Sequence, residues 1–157
     1  MGKIKNKLIA LIFIASLLVL PVSAYAVGSV AQSFTMIADG VYVLTITWIG
    51  DASGGLVPST AITDSYVAKL IGSYLYSAVT NPGSPAPDDL YDIVINDADG
   101  FDIAGGLLAN RSTSVTQMVN IGVGAIGYPV IRGPITFVLT GTTVNSATGT
   151  LMMLFVK

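Results

Sequence analysis

The chain has 157 residues, of which 52% are hydrophobic and 10% are charged, whereas soluble domains usually carry roughly 25% charged residues. It contains no cysteine and no histidine, so disulfide frameworks, zinc sites of the Cys/His type and nucleophile systems with a histidine base are excluded. Most common hydrolase mechanisms are excluded with them, and we expect that the protein is not an enzyme.

The first 26 residues have the three parts of a secretory signal peptide. Three lysines lie within the first seven residues, an uncharged apolar run spans residues 8–20, and Ala24-Tyr25-Ala26 matches an A-x-A cleavage signal. The alternative is an uncleaved membrane anchor, but this run is shorter than the roughly 20 residues that span a bilayer. We therefore expect cleavage after Ala26, export to the periplasm or the extracellular space, and membrane attachment only if the leader stays uncleaved.

Residues 27–157 are long enough for one domain with its own core and short for two. This part of the chain carries nine aspartates and few basic residues. The basic residues are Lys69, Arg111, Arg132 and Lys157. Such an acidic surface neutralises few phosphates, so we expect no nucleic-acid partner.

The mature chain consists of short runs rich in Thr, Val, Ile and Tyr, separated by glycine-containing turns at intervals of about ten residues. This rhythm predicts an all-β fold, a single antiparallel β-sandwich of about seven to nine strands. The clearest strand is residues 40–50, preceded by a strand over 33–38 and a hairpin turn at Asp39-Gly40. Because side chains alternate between the two faces of a strand, every second one is expected to point to the core: Tyr42, Leu44, Ile46 and Trp48.

The next segment is ambiguous. Residues 63–79 could form an amphipathic helix opened by Thr63 or Asp64, but the β-rich neighbourhood favours a strand over residues 72–80. Three prolines in residues 81–89 predict an exposed connection. A half-buried strand follows over residues 91–96.

An aspartate cluster follows this strand. Asp97, Asp99 and Asp102 offer the oxygen ligands that calcium takes, and Gly100 permits a tight turn. However, the chain has no glutamate to act as the last ligand of an EF-hand loop. A turn with Gly100 at positive φ explains the same residues and is the favoured interpretation; calcium is the alternative. A glycosidase pair is disfavoured because the mature chain has one tryptophan, on a core-patterned face.

Further strands are predicted near residues 114–119, over 135–139 and over 150–157. The closing strand is apolar on both sides, and one sandwich core can bury only one side. The core set is expected to be Leu151, Met153 and Phe155, and the other set Met152, Leu154 and Val156. This second set predicts a subunit interface in a homo-oligomer or larger assembly, with backbone pairing if the strand lies at a sheet edge. Alternatively, residues 103–132 cover it within one subunit.

Three stretches together carry a family resemblance: "TITWIGDASGG", "AVTNPGSPAPDDLYDIVINDADGFDIAGGLLANRSTS" and "GPITFVLTG…NSATGTLMML". In this order they resemble a family of small proteins encoded by tailed phages and prophages. The resemblance covers nearly the whole mature chain and implies a virion-associated or exported β-sandwich of uncharacterised function. It brings no catalytic or binding residues. This chain departs from the family in its more apolar stretches, residues 66–76 and 151–156.

Two functions are compatible with these patterns. The first is an exported structural or interaction protein that assembles with itself or decorates a phage particle or a cell surface. The second is a calcium- or glycan-dependent binding module centred on residues 97–102. No other cofactor is expected.

Overall fold

The computed structural model describes residues 26–121, 127 and 129–157, and the predicted signal peptide lies outside this range except for Ala26. The described chain is mostly strand, so the all-β prediction is confirmed. Its elements are β1 Ser29–Ala38, β2 Val41–Ile49, β3 Thr60–Ala61, α1 Asp64–Leu70, β4 Tyr74–Pro82, β5 Asp92–Asn96, β6 Gln117–Asn120, β7 Thr136–Thr140 and β8 Thr148–Val156.

The strands form two antiparallel sheets. The larger sheet has five strands in the order β1-β2-β8-β4-β6, and the smaller has three in the order β3-β7-β5. Both sheets contribute side chains to a single hydrophobic core. The fold is therefore sandwich-like, and the larger sheet has an inner face toward this core and an outer face away from it.

The β1–β2 hairpin shows how the sequence pattern produces this arrangement. Asp39 and Gly40 form the turn, and Gly40 adopts φ 71°, which glycine tolerates without steric cost. On β2 the predicted core set points inward: Leu44, Ile46 and Trp48 are fully buried and Tyr42 is half-buried. Strand β1 begins at Ser29 rather than at the predicted residue 33, because small and polar residues at its start weaken the alternation.

Trp48 lies at the centre of the core and explains a tight backbone position on the neighbouring strand. Its ring packs against Phe137 and Tyr91, with centroid distances of 5.8 Å and 6.2 Å. Gly149 of β8 pairs with Trp48 across the ladder, and a Cβ at this position would overlap the indole ring. Glycine at residue 149 is thus a requirement of close packing.

Residues 63–79, which were compatible with a helix or a strand, contain a helix followed by the start of a strand. Residues 64–70 are helical, with Val67 and Leu70 buried, and the strand that follows begins at Tyr74. The strand predicted over residues 72–80 is therefore present, and the helical alternative holds for residues 64–70 only. The two elements are separated by Gly72, whose φ of 82° lies in the left-handed region that ends helices.

The closing strand is not an edge. β8 pairs with β2 on one side and β4 on the other, so its backbone groups are engaged by both neighbours. Leu151, Met153 and Phe155 are fully buried, as predicted. The alternate residues lie on the outer face, so any contact through them involves side chains and not backbone pairing.

Candidate functional site

The aspartate-rich segment folds as a turn at the end of β5. One carboxylate oxygen of Asp97, Oδ1, accepts hydrogen bonds from the backbone N–H of Asp99 at 3.0 Å and of Phe101 at 2.9 Å. Gly100 has φ 83°, and its N–H donates to the Asp97 carbonyl. The predicted turn with a positive φ at Gly100 is confirmed, and its organising side chain is Asp97.

Asp102 lies where the chain turns back along β5 and forms a bridge with Asn96. Its carboxylate accepts three backbone N–H groups. Oδ1 accepts those of Ile95 at 3.3 Å and Ala104 at 3.0 Å, and Oδ2 accepts that of Gly106 at 2.7 Å. Asp102 therefore fastens the returning loop to the edge of β5.

These contacts bear on the calcium hypothesis. Across residues 26–121, 127 and 129–157, no three acidic side chains lie close enough together to hold a metal ion. Oδ1 of Asp97 and both carboxylate oxygens of Asp102 instead accept backbone N–H groups of their own segment. The arrangement explains the aspartates as structural residues, and a calcium site remains an untested prediction.

A shallow cleft of about 210 Å³ lies beside this turn. It is lined by Asp97, Asp99 and Arg132 together with apolar side chains that include Ile103 and Ile135. A second cleft of about 260 Å³ adjoins it and shares Asp97, Ile103, Val130 and Arg132. Neither lining contains a hydroxyl, thiol or imidazole group.

Four other aspartates also organise loops. Each accepts at least one backbone N–H: Asp51 from Ser53 and Gly54, Asp88 from Thr143, Asp89 from Thr113, and Asp92 from Asn110. For Asp88, hydrogen bonds from the backbone and hydroxyl of Thr143 hold the pKa of the carboxyl below its ordinary value. These carboxylates are engaged within the subunit, and those of Asp88, Asp89 and Asp92 tie together segments that are distant in sequence.

The most buried ionisable pair is also structural. Tyr91 is fully buried, and burial raises the pKa of its hydroxyl, so the group stays protonated at neutral pH. Arg111, which is 9% exposed, bridges to Tyr91 through the backbone, and its guanidinium donates to the Ala109 carbonyl from Nε and Nη2. The pair joins the loop to the start of β5 and offers no general base.

The outer face of the five-stranded sheet has a different character. Strand pairing places one row of side chains side by side across the sheet: Ser33, Thr45, Met152, Val79 and Met118. The next row consists of Thr35, Val43, Leu154, Ser77 and Asn120. None of the five strands contains a charged residue. The outer face is therefore an uncharged surface of mixed hydroxyl and apolar side chains.

In the two central rows of this face the exposed apolar side chains are two methionines, and Ile49 at the end of β2 is 47% exposed on the same face. Met152 is 48% exposed and Met118 is 64% exposed, whereas Leu154 and Val156 are half-buried. The described part of residues 103–132 thus leaves Met152 uncovered. Sequence reasoning selected Met152, Leu154 and Val156 but missed Met118, because its place beside them depends on the strand order.

Comparisons with protein-family models, with curated proteins and with solved structures found no match to this chain. The resemblance to phage-encoded proteins therefore stays a prediction. No helix among the described residues is both long and apolar enough to cross a membrane.

Proposed function

We propose that this chain is a structural protein that associates with itself, and that the outer face around Met152, Leu154 and Val156 is its main interface. The observation that carries this proposal is the uncharged outer face, on which Met152 and Met118 stay exposed in a single subunit. Monomeric proteins rarely leave a large apolar patch in water. The leader-like sequence and the resemblance to phage proteins support a place on a cell or particle surface.

The size of the outer face suits a second copy of the same chain. Five strands at a spacing of about 4.8 Å and a length of about 30 Å give a footprint of roughly 600 Å² per copy, or roughly 1,200 Å² for two. This total lies at the lower limit of the roughly 1,200–2,000 Å² that specific interfaces bury. Two such faces can therefore form a stable contact by stacking.

Charge also favours a second copy over other occupants. The described chain contains nine aspartates and four basic residues, so two copies repel one another except where the surface is uncharged. Stacking of outer faces places no like charges opposite each other. An anionic membrane is a weaker candidate because the five strands provide no lysine or arginine to attract its headgroups.

The test removes apolar side chains from the outer face without touching the core. Met152→Thr combined with Leu154→Thr should lower the molar mass measured by light scattering at micromolar concentration, while the melting temperature of the isolated subunit changes little. The matched control is Leu56→Thr combined with Val115→Thr, which alters exposed apolar residues outside the five strands and should leave the mass unchanged.

Two results would contradict the proposal. One is a wild-type mature protein that is already monomeric at micromolar concentration. The other is a Met152→Thr, Leu154→Thr variant that retains the wild-type mass. Sedimentation of monomeric protein with anionic vesicles would assign the face to a membrane instead.

A further inference from the structure

The edges of the two sheets are protected to very different degrees. In the three-stranded sheet, β5 is covered by the chain that returns from the aspartate-rich turn. The Ile93 N–H donates to the Leu108 carbonyl at 3.0 Å, and the Ile103 N–H donates to the Ile95 carbonyl at 2.9 Å. Backbone groups on this edge are therefore already paired within the subunit.

The opposite edge of the same sheet, β3, is covered by one side chain. The Gln32 carboxamide donates from Nε2 to the Ala61 carbonyl at 2.8 Å, and its Oε1 accepts the Thr63 N–H at 2.9 Å. A carbonyl and an N–H two residues apart lie on the same edge of an extended chain. The carboxamide of Gln32 thus takes the place that a neighbouring strand would occupy.

The remaining edges belong to the five-stranded sheet. β6 has four residues and offers little backbone. β1 has ten residues, contains no proline, glycine or charged side chain, and has one irregularity, between Met36 and Ala38 near its end. Apart from its pairing with β2, no backbone hydrogen bond to β1 is formed from anywhere in the described ranges. Short strands, prolines, charged residues and bulges are the usual protection of an edge. Within β1 only the irregularity near its end is of this kind, and Lys69 of α1 lies over the ring of Phe34.

We propose that β1 is a second self-association site, at which it pairs antiparallel with β1 of another copy. The two five-stranded sheets then join into one continuous sheet across a two-fold axis. Antiparallel pairing follows from charge, because Asp39 lies directly after β1. Parallel strands would bring Asp39 of both copies together, whereas antiparallel strands separate them by about 30 Å.

This site extends the proposed function but does not depend on it. Stacking of outer faces and pairing of β1 edges each join two copies around a different two-fold axis. If both operate, the product is larger than a dimer: a closed tetramer where the two axes meet at right angles, and an open chain of subunits where they do not. If only β1 pairing operates, the product is a dimer.

The absence of cysteine from the chain allows a disulfide test. Ala31→Cys, Ser33→Cys and Thr35→Cys place single thiols at exposed positions on β1, alone and in pairwise mixtures. The background is Met152→Thr with Leu154→Thr, so that face stacking is suppressed. Directly opposed residues of antiparallel strands have Cβ atoms about 4.5–5.5 Å apart, near the separation that a disulfide needs. One variant or mixture should form a covalent dimer under mild oxidation far more than the others.

The matched control is Thr47→Cys. Thr47 is exposed on the same face and pairs with Ala31, but it lies one strand away from the edge. It should not cross-link. Similar cross-linking of Thr47→Cys and the three β1 variants would indicate face contact or random collision and would overturn the proposal, as would the absence of cross-linking in all three.

A second measurement does not need the disulfide. Ser33→Lys puts a charge at the middle of the edge and should shift the mass by light scattering from dimer to monomer in the same background, while the monomer stays folded. A mass that stays dimeric would also overturn β1 pairing. The face contact is tested independently, because Met152→Thr with Leu154→Thr changes the outer face and leaves β1 unchanged.

Discussion

The aspartate-rich loops and the outer face of the five-stranded sheet differ in whether their interaction groups are already used. In the loops, carboxylates such as Asp97 and Asp102 accept backbone N–H groups of the same subunit. On the outer face, Met152 and Met118 have solvent where a neighbour could lie. The segment that resembles a binding site in the sequence is occupied by its own backbone, and the plain strand pattern leaves the surface available for partners.

The difference has a common physical cause. Loops leave backbone N–H groups unpaired, and a short carboxylate a few residues earlier in the chain is well placed to accept them. In a sheet the backbone N–H and C=O groups are paired between strands. The side chains on its exposed face are therefore not needed as hydrogen-bond partners, and their type reflects the surface that they contact. Charged side chains thus mark structural positions in one region, and the absence of charge marks the candidate interface in the other.

The largest effect is expected from Asp102→Ala, which tests whether the loop carboxylates are structural. The variant leaves the N–H groups of Ile95, Ala104 and Gly106 without their acceptor. Because hydrogen bonds to charged groups contribute about 1.5–3 kcal/mol and part of this site is shielded from water, we expect the free energy of unfolding to fall by about 2–3 kcal/mol. Urea denaturation followed by tryptophan fluorescence measures it through Trp48.

Asp99→Ala is the matched control. Asp99 belongs to the same turn and is exposed, but only its backbone N–H takes part in the turn's hydrogen bonds. Its loss should change the free energy of unfolding by less than about 0.5 kcal/mol. Equal losses for the two variants would show that Asp102 has no special structural role.

The sequence was sufficient to predict those features that depend on local pattern. Alternation of side chains identified the inner set of β2, and the Asp-Gly pair identified the turn at Asp39 and Gly40, both as the structure has them. Strand order could not be derived in this way. β8 lies between β2 and β4, which are distant in sequence from it, and such pairing depends on the fit of the whole core.

Only part of the candidate interface could be predicted, because the rest of it depends on strand order. The two-sided apolar pattern of the last strand selected Met152, Leu154 and Val156, but Met118 and Val79 join them only through the register of β4 and β6. The protection of β3 by Gln32 was also beyond the sequence, because the contact joins residues 29 and 31 positions apart.

A smaller effect is expected from Gly100→Ala. Gly100 has φ 83°, and no heavy atom lies within 4 Å of the place that a Cβ would take, so the variant causes no clash and its cost is conformational. We expect a loss of about 1 kcal/mol in the free energy of unfolding. Gly133→Ala is the control, since Gly133 has equally open space and no positive φ, and it should be neutral or slightly stabilising. A neutral Gly100→Ala would contradict the turn's conformational requirement.

The smallest expected effect is that of calcium. Oδ1 of Asp97 and both carboxylate oxygens of Asp102 accept backbone N–H groups, so calcium binding through these oxygens competes with those hydrogen bonds. We therefore expect the same melting temperature in millimolar calcium and in chelator. Binding would be easy to detect, because a ligand at one hundred times its Kd adds about 2.7 kcal/mol to the stability of the folded state. Asp97→Asn and Asp99→Asn complete the experiment: a calcium-dependent rise in melting temperature that both variants abolish would assign a metal role to the turn and remove the contrast between the two regions.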